Sequence, residues 1–274
     1  MAGVGIPLCA AVVWAGGWLF VAGVAVLAAV GAAELVGMLE RSGRPVLRVS
    51  TVAGAAALPV AVAALGPGAA WTAAAVVAPA AVALALVRYP PEEGPATAAA
   101  LATFGVLYVG GLLSFAVPLR TVHATGRLPG TLVFFLPVIV TWVVDTAAYF
   151  GGRAWGRRPL APVVSPNKTV AGAVAALVAG PAAAVAYGAL LPAAGGSGGA
   201  LPALGTVAAA ALGLLVAAAA IFGDLAESAI KRECGAKDAS NLLPGHGGLM
   251  DRMDSLLWTI PVAHLFLHWA GAAG

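Results

Sequence analysis

The chain has 274 residues, 61% hydrophobic and 9% charged, with a formal net charge of +3 and a mean hydropathy of +0.98. Soluble domains carry about 25% charged residues, so these proportions exclude a water-soluble globular fold and make lipid the solvent. Strand-like alternation is absent, which argues against an outer-membrane barrel, and the abundance of small residues suits close helix packing in a bilayer.

Apolar runs broken by glycine, proline and charge predict nine helices, at 4–17, 18–39, 46–65, 69–87, 96–117, 130–150, 169–191, 201–222 and 255–272. The expected fold is therefore all-α, a polytopic integral membrane protein with about nine transmembrane helices. A crossing needs about 20 apolar residues, so the first run is short. Gly16-Gly17 is either a turn between two helices or a soft point in one long helix, which leaves the count at eight or nine. The N-terminal run lacks a basic flank and continues past signal-peptide length, so it reads as a retained membrane segment. The turn Pro90-Pro91-Glu92-Glu93-Gly94-Pro95 is tight. His123 falls in an outside loop, and Gly195-Gly196-Ser197-Gly198-Gly199 forms a flexible one. Residues 1–128 hold about five N-terminal membrane helices, and 129–274 form a catalytic membrane region with polar loops at 151–168 and 223–254.

Lysine and arginine counts near helix ends set the orientation. With the N-terminus in the cytoplasm, Arg41, Arg44, Arg48, Arg88, Arg153, Arg157, Arg158, Lys168, Lys231, Arg232, Lys237 and Arg252 face inward, twelve of the 14 basic residues. Arg120 and Arg127 are the exceptions. Both long polar segments then share the cytoplasmic side, where they can meet in one site.

Six of the eleven acidic residues lie between 224 and 254: Asp224, Glu227, Glu233, Asp238, Asp251 and Asp254. Lys231, Arg232, Lys237, His246 and Arg252 stand among them. If the eighth helix continues inward, Asp224, Glu227, Ser228 and Lys231 share one face. Asp251 and Asp254 share a face at the start of the ninth. Ionised carboxylates at membrane depth are costly unless paired or metal-bound. Carboxylates facing one another from two helices make a hard-cation site suited to Mg²⁺, with substrate phosphate oxygens completing the shell. The alternative is a solvated loop with surface ion pairs and helix-capping aspartates. In Leu243-Pro244-Gly245-His246-Gly247-Gly248 the glycines let backbone N–H groups approach an anion. His246 binds phosphate, handles a proton, or serves only as a structural hydrogen bonder.

Asp145 lies near the inner end of the sixth apolar run, either as a functional carboxylate or as a hydrogen-bond partner for a neighbouring helix. Ser165-Pro166-Asn167-Lys168-Thr169 precedes the seventh helix, where hydroxyls, free N–H groups and a lysine form an anion site. There too a plain helix cap with a topology-setting lysine is the alternative. Arg153, Arg157 and Arg158 set topology or attract anionic headgroups. Cys9 and Cys234 are expected to be unpaired.

Taken together, Ser228-Ala229-Ile230-Lys231-Arg232, Lys237-Asp238 and Leu243-Pro244-Gly245-His246-Gly247-Gly248-Leu249-Met250-Asp251-Arg252-Met253-Asp254 resemble the signature of the phosphatidate cytidylyltransferases, also called CDP-diacylglycerol synthases. Gly223-Asp224-Leu225-Ala226-Glu227-Ser228, Asp145-Thr146-Ala147-Ala148-Tyr149-Phe150 and Ser165-Pro166-Asn167-Lys168-Thr169 are similar to further family motifs. The departures are Ala171 where the family commonly has Glu, Gly156-Arg157 for Gly-Lys, and Ala239-Ser240-Asn241 where Ser-Gly is usual. None removes a carboxylate assigned to the metal.

The resemblance implies that CTP and phosphatidic acid give CDP-diacylglycerol and pyrophosphate, a step of phospholipid biosynthesis. It also implies Mg²⁺, with K⁺ as a second cation, a homodimer in a bacterial-type inner membrane, and no nucleic-acid partner. In the mechanism it suggests, Asp224, Asp251 and Asp254 hold Mg²⁺, and Lys231, Arg232, Lys237 and Arg252 neutralise phosphates. Ser165, Asn167, Lys168, Thr169, Glu227, Ser228, Gly247 and Gly248 line the substrates, and Asp145 and Asp238 orient basic groups or water. A CTP-dependent polyprenol kinase and a transporter with intramembrane carboxylates are the competing readings.

Overall fold

The computed structural model describes residues 2–121, 127–190, 205–242, 245 and 247–272. His123, the segment 195–199, Leu243, Pro244 and His246 lie outside the described residues. Among the described residues the long helices are α1 (Ala2–Ala15), α2 (Gly17–Arg41), α3 (Arg48–Leu65), α4 (Ala69–Arg88), α5 (Pro95–Thr121), α6 (Arg127–Trp155), α7 (Val170–Leu190), α8 (Thr206–Glu233) and α9 (Met250–Ala272). Seven of these, α2 to α8, are long and apolar enough to cross a membrane. At 14 residues α1 is short, as its apolar run implies. The α1–α2 ambiguity resolves as a break: Gly16 and Gly17 have φ of 65° and 55°, in the left-handed region that glycine enters at no steric cost.

One expectation needs amendment. Residues 159–169 are not irregular loop but an antiparallel hairpin, β1 (Pro159–Ala161) and β2 (Ser165–Thr169), with Pro159 opposite Thr169 and Ala161 opposite Ser165. The strands are short and largely solvated, so no alternation marks them. The last residue of β2 starts the next helix, because Thr169 Oγ1 accepts a bond of 3.1 Å from the Gly172 N–H.

The chain divides into two compact units. One comprises residues 16–118 and 230–253. Here α2 packs on α3 and α4 on α5, with glycines where backbones approach. Mid-way along α5 the segment Val106–Gly111 widens into a π turn. A Cβ on Gly110 would lie 2.5 Å from the Ala55 Cα, a backbone atom that cannot move aside. Gly110→Val is therefore expected to destabilise this unit by about 1–3 kcal/mol or more, read as a lower melting temperature in detergent.

The other unit comprises residues 1–15, 119–229 and 254–274. In it α6 packs along α7, and a Cβ on Gly172 would lie 2.7 Å from the Ala148 carbonyl oxygen. Arg120, one of the exceptions to the positive-inside pattern, is buried here. Its Nε donates to the Val13 carbonyl at 2.7 Å and its Nη2 to that of Trp14 at 3.3 Å. It thus satisfies orphan carbonyls and the negative dipole end of α1, a task independent of topology.

Candidate active site

In the second of these units three helices and the hairpin bring four acids and a lysine together. Helix α8 runs past its apolar stretch to Glu233, so it carries Asp224 and Glu227 outward on one face. A Cβ on Gly223 would lie 2.6 Å from the Asp254 carbonyl oxygen and 3.1 Å from the Ser255 Cα. This close crossing sets the Asp224 turn of α8 against the first turns of α9. Ser255 Oγ donates to the Ala220 carbonyl at 3.3 Å, and Thr141 Oγ1 on α6 meets Thr259 Oγ1 on α9 at 3.2 Å.

Lys168, delivered by β2, forms an ion pair with Asp224, and its Nζ is shielded from solvent. Asp145 on α6 lies within electrostatic reach of both Lys168 and Asp224. Asp254 is repelled by Asp224 and Asp145, and Glu227, which is fully buried, lies beside it. Four acids and one lysine, with Asp145 exposed, Asp224 and Asp254 half-buried and Glu227 buried, are an unbalanced arrangement, and such imbalance marks function more often than stability.

The other unit holds a second polar cluster. Lys231 Nζ donates to Asp251 Oδ1 at 2.6 Å, with side chains 13% and 9% exposed. Asp251 Oδ2 accepts from the Ala239 N–H at 2.9 Å and the Gly248 N–H at 2.8 Å. Burial pushes the Asp251 carboxyl up, but the Lys231 ammonium and these two amides outweigh it and hold it below the usual carboxylate value. Arg44 pairs with Glu233 at 2.7 Å, and Arg41 donates to the Ala239 carbonyl at 2.9 Å, fastening 230–253 to the end of α2.

The Gly-rich loop does bring backbone amides to anions, but the anions seen are the protein's own carboxylates. A Cβ on Gly247, whose φ is 77°, would lie 2.9 Å from Asp251 Oδ2, and one on Gly248 would lie 2.8 Å from Glu34 Oε1.

Glu34 is the residue that the reading from sequence passed over. It is 7% exposed on α2 and accepts from Ser240 Oγ at 2.6 Å, the Leu249 N–H at 2.9 Å and the Met250 N–H at 2.7 Å. A signal was available: a carboxylate inside a predicted membrane helix is a functional candidate by default.

Other expected site residues are placed more loosely. Ser165 and Asn167 lie on β2, half-buried and exposed respectively, and Ser228 is half-buried on α8. Arg232, Lys237, Asp238 and Arg252 are exposed, and Arg232 Nη1 donates to the Ala236 carbonyl at 3.2 Å. His246 lies outside the described residues, and both cysteines are free thiols.

The donor set suits a hard cation, since it consists of carboxylate oxygens and carries surplus negative charge. Among the described residues no three His, Cys, Asp or Glu close into a ready-made cage.

A family model described as the cytidylyltransferase family matches residues 1–270. The chain is similar to the phosphatidate cytidylyltransferase of Brucella suis biovar 1 (strain 1330), 41% identical over 136 residues, 50% of this chain and 46% of that one. It is 33% identical over 167 residues to the phosphatidate cytidylyltransferase of Bacillus subtilis (strain 168), 60% of this chain and 56% of that one. The chain thus spans about half the length of these two relatives. Phosphatidate cytidylyltransferase 4, chloroplastic, of Arabidopsis thaliana is 32% identical over an alignment that takes in 97% of this chain and 71% of the relative. With a model matched across nearly its whole length and a charged cluster built from the motifs that carry the likeness, this multi-pass membrane protein belongs to the cytidylyltransferase family.

Proposed function

We propose that the protein is a CTP:phosphatidate cytidylyltransferase, making CDP-diacylglycerol for phospholipid biosynthesis. The observation that carries this reading is the gathering of Asp145, Asp224, Glu227 and Asp254, with Lys168 paired to Asp224 and close to Asp145, in a chain otherwise poor in charge. The printed names of the relatives supply the substrates.

A phosphatidate oxygen attacks the α-phosphorus of CTP. The new P–O bond forms as the bond from the α-phosphorus to the bridging oxygen breaks, and pyrophosphate leaves with that electron pair. Both reactants are anions and phosphate is already nucleophilic near neutral pH, so the protein's work is positioning and charge neutralisation. Lys168 meets substrate phosphate with the ammonium that Asp224 and Asp145 orient. Ser165, Asn167 and Thr169 extend that contact along β2, and Ser228 does so on α8. Lys231, Arg232, Lys237 and Arg252 supply further positive charge, His246 binds phosphate or handles a proton, and Gly247 and Gly248 line the substrate, while Asp238 orients a basic group or water.

Asp224 and Asp254 would hold Mg²⁺, and the three-residue spacing of Asp251 and Asp254 on one helix argues for Asp251 as a further ligand. Bound there, Mg²⁺ supplies Lewis-acid stabilisation of developing charge on phosphate oxygens. K⁺ as a second cation, a homodimer, and a site on the cytoplasmic side of a bacterial inner membrane complete the proposal. The distribution of arginine and lysine supports that side.

The test uses purified protein in detergent with CTP, Mg²⁺ and a panel of lipid acceptors. Phosphatidate should give pyrophosphate and CDP-diacylglycerol in equal amounts. Release of CDP with an isoprenoid alcohol, and no pyrophosphate with phosphatidate, would replace this reading with a lipid kinase.

A further inference from the structure

We infer that Glu34 is a positioning residue, a carboxylate on an N-terminal membrane helix that clamps the loop carrying Asp251. The inference rests on the proposed activity for its consequence in turnover, but on geometry alone for the clamp.

The first amides of a helix have no intrahelical acceptor, and burial makes an unmet N–H costly. At the start of α9, Met250 is 1% exposed, so its amide cannot turn to water. Helices usually solve this with a local N-cap side chain. Here the residues just before α9 are Gly247-Gly248-Leu249, which offer no such group. Glu34 takes the role from α2, more than 200 residues away in sequence, by accepting from the Leu249 and Met250 amides.

The same carboxylate accepts from Ser240 Oγ, at the other end of the loop, and Ser240 Oγ in turn accepts from the Leu242 N–H at 3.1 Å. Glu34 therefore ties residue 240 to residues 249 and 250. Asp251 makes the parallel tie between residues 239 and 248, with Lys231 on its other oxygen. The two acids hold the loop closed from both sides. Glu34 comes so close that a Cβ at 248 would lie 2.8 Å from its Oε1 and would have to push the carboxyl group aside. A negative charge at a helix N-terminus is also favoured by the macrodipole.

Freeing Leu249 and Met250 loosens the backbone next to Gly248, whose amide donates one of the bonds that fix the rotamer of Asp251. Asp251 then no longer holds the Lys231 ammonium in one place. A small misplacement of a charge-neutralising group costs rate, since positioning is most of what the protein supplies.

The test compares wild type with Glu34→Gln and Ser240→Ala in detergent micelles, by hydrogen–deuterium exchange and by turnover. Glu34→Gln should speed amide exchange at 239–250 by at least ~10-fold, with α6 and α7 unchanged, because only local opening is made easier. It should lower kcat by ~10-fold or more. Ser240→Ala removes one of three bonds and should give a smaller change of the same kind, while Glu34→Asp restores charge without reach and should recover only part of the rate. Unchanged exchange at 239–250, or a uniform rise across the chain, would overturn the clamp. Local loosening with unchanged kcat and KM would overturn its part in turnover. A wild type without pyrophosphate release would count against the cytidylyltransferase reading alone, and the exchange comparison would still decide the clamp.

Discussion

Replacing Asp254 by Asn is expected to cost at least ~1,000-fold in kcat while leaving the protein as stable as before or more so, a loss of about 4 kcal/mol in transition-state stabilisation. The two effects separate because Asp254 is poorly placed for stability. Its neighbours Asp224 and Asp145 both repel it, and Glu227 beside it is another acid with no exposure to water. Asparagine is nearly isosteric, can donate to Glu227 through Nδ2, and removes one charge from the repelling set. If stability alone had shaped this site, the amide would be the better residue. A carboxylate earns its place only if something positive arrives, and a divalent cation with the phosphates of a nucleotide answers that need. Activity would be followed as pyrophosphate release across a Mg²⁺ titration, and stability as the melting temperature in detergent. Turnover within threefold of wild type at saturating Mg²⁺ would remove Asp254 from the metal. A fall of several degrees in melting temperature would show that the cluster is structural.

The membrane helices were legible because the bilayer fixes their length and composition, so runs such as Gly17–Arg41 and Val170–Leu190 stand out without any pairing information. The hairpin at 159–169 was not, because its strands are too short and too solvated for a period to show. Within the site, helical spacing correctly placed Asp224 and Glu227 on one continuous helix and Asp251 and Asp254 on another. Spacing could not say which acid would meet which base. That Lys168 takes Asp224 and Lys231 takes Asp251 depends on contacts made far along the chain. Glu34 was hidden for the same reason, since its partners at 240, 249 and 250 lie in the most distant part of the sequence. The paired glycines announced a tight approach of backbone to an anion, but not that the anions would be Asp251 and Glu34.

Lys168→Met is the complementary experiment, and its outcome should be opposite in sign for stability. The lysine supplies the positive charge facing Asp224 and Asp145, and its Nζ is shielded from water. Methionine keeps the length and apolar stem but leaves the acids uncompensated. Breaking a fully buried pair costs about 3–5 kcal/mol and an exposed one under about 1. With side chains 24% and 37% exposed, this pair falls between. A loss of about 1–3 kcal/mol follows, a drop of roughly 2–10 °C for a chain of this size. Turnover should fall by ~100-fold or more, because an oriented cation at a transferring phosphate acts where charge develops. The double variant Lys168→Met/Asp254→Asn then separates the two roles. Removing one acid relieves the imbalance left by the missing lysine, so the melting temperature should recover by more than the Asp254→Asn change alone provides, a positive coupling between groups in one cluster. Activity should not recover at all. Additive stability effects would mean that the two residues do not share a field, and regained turnover would mean that the charge balance of this cluster, rather than its particular cation and acids, is what the reaction uses.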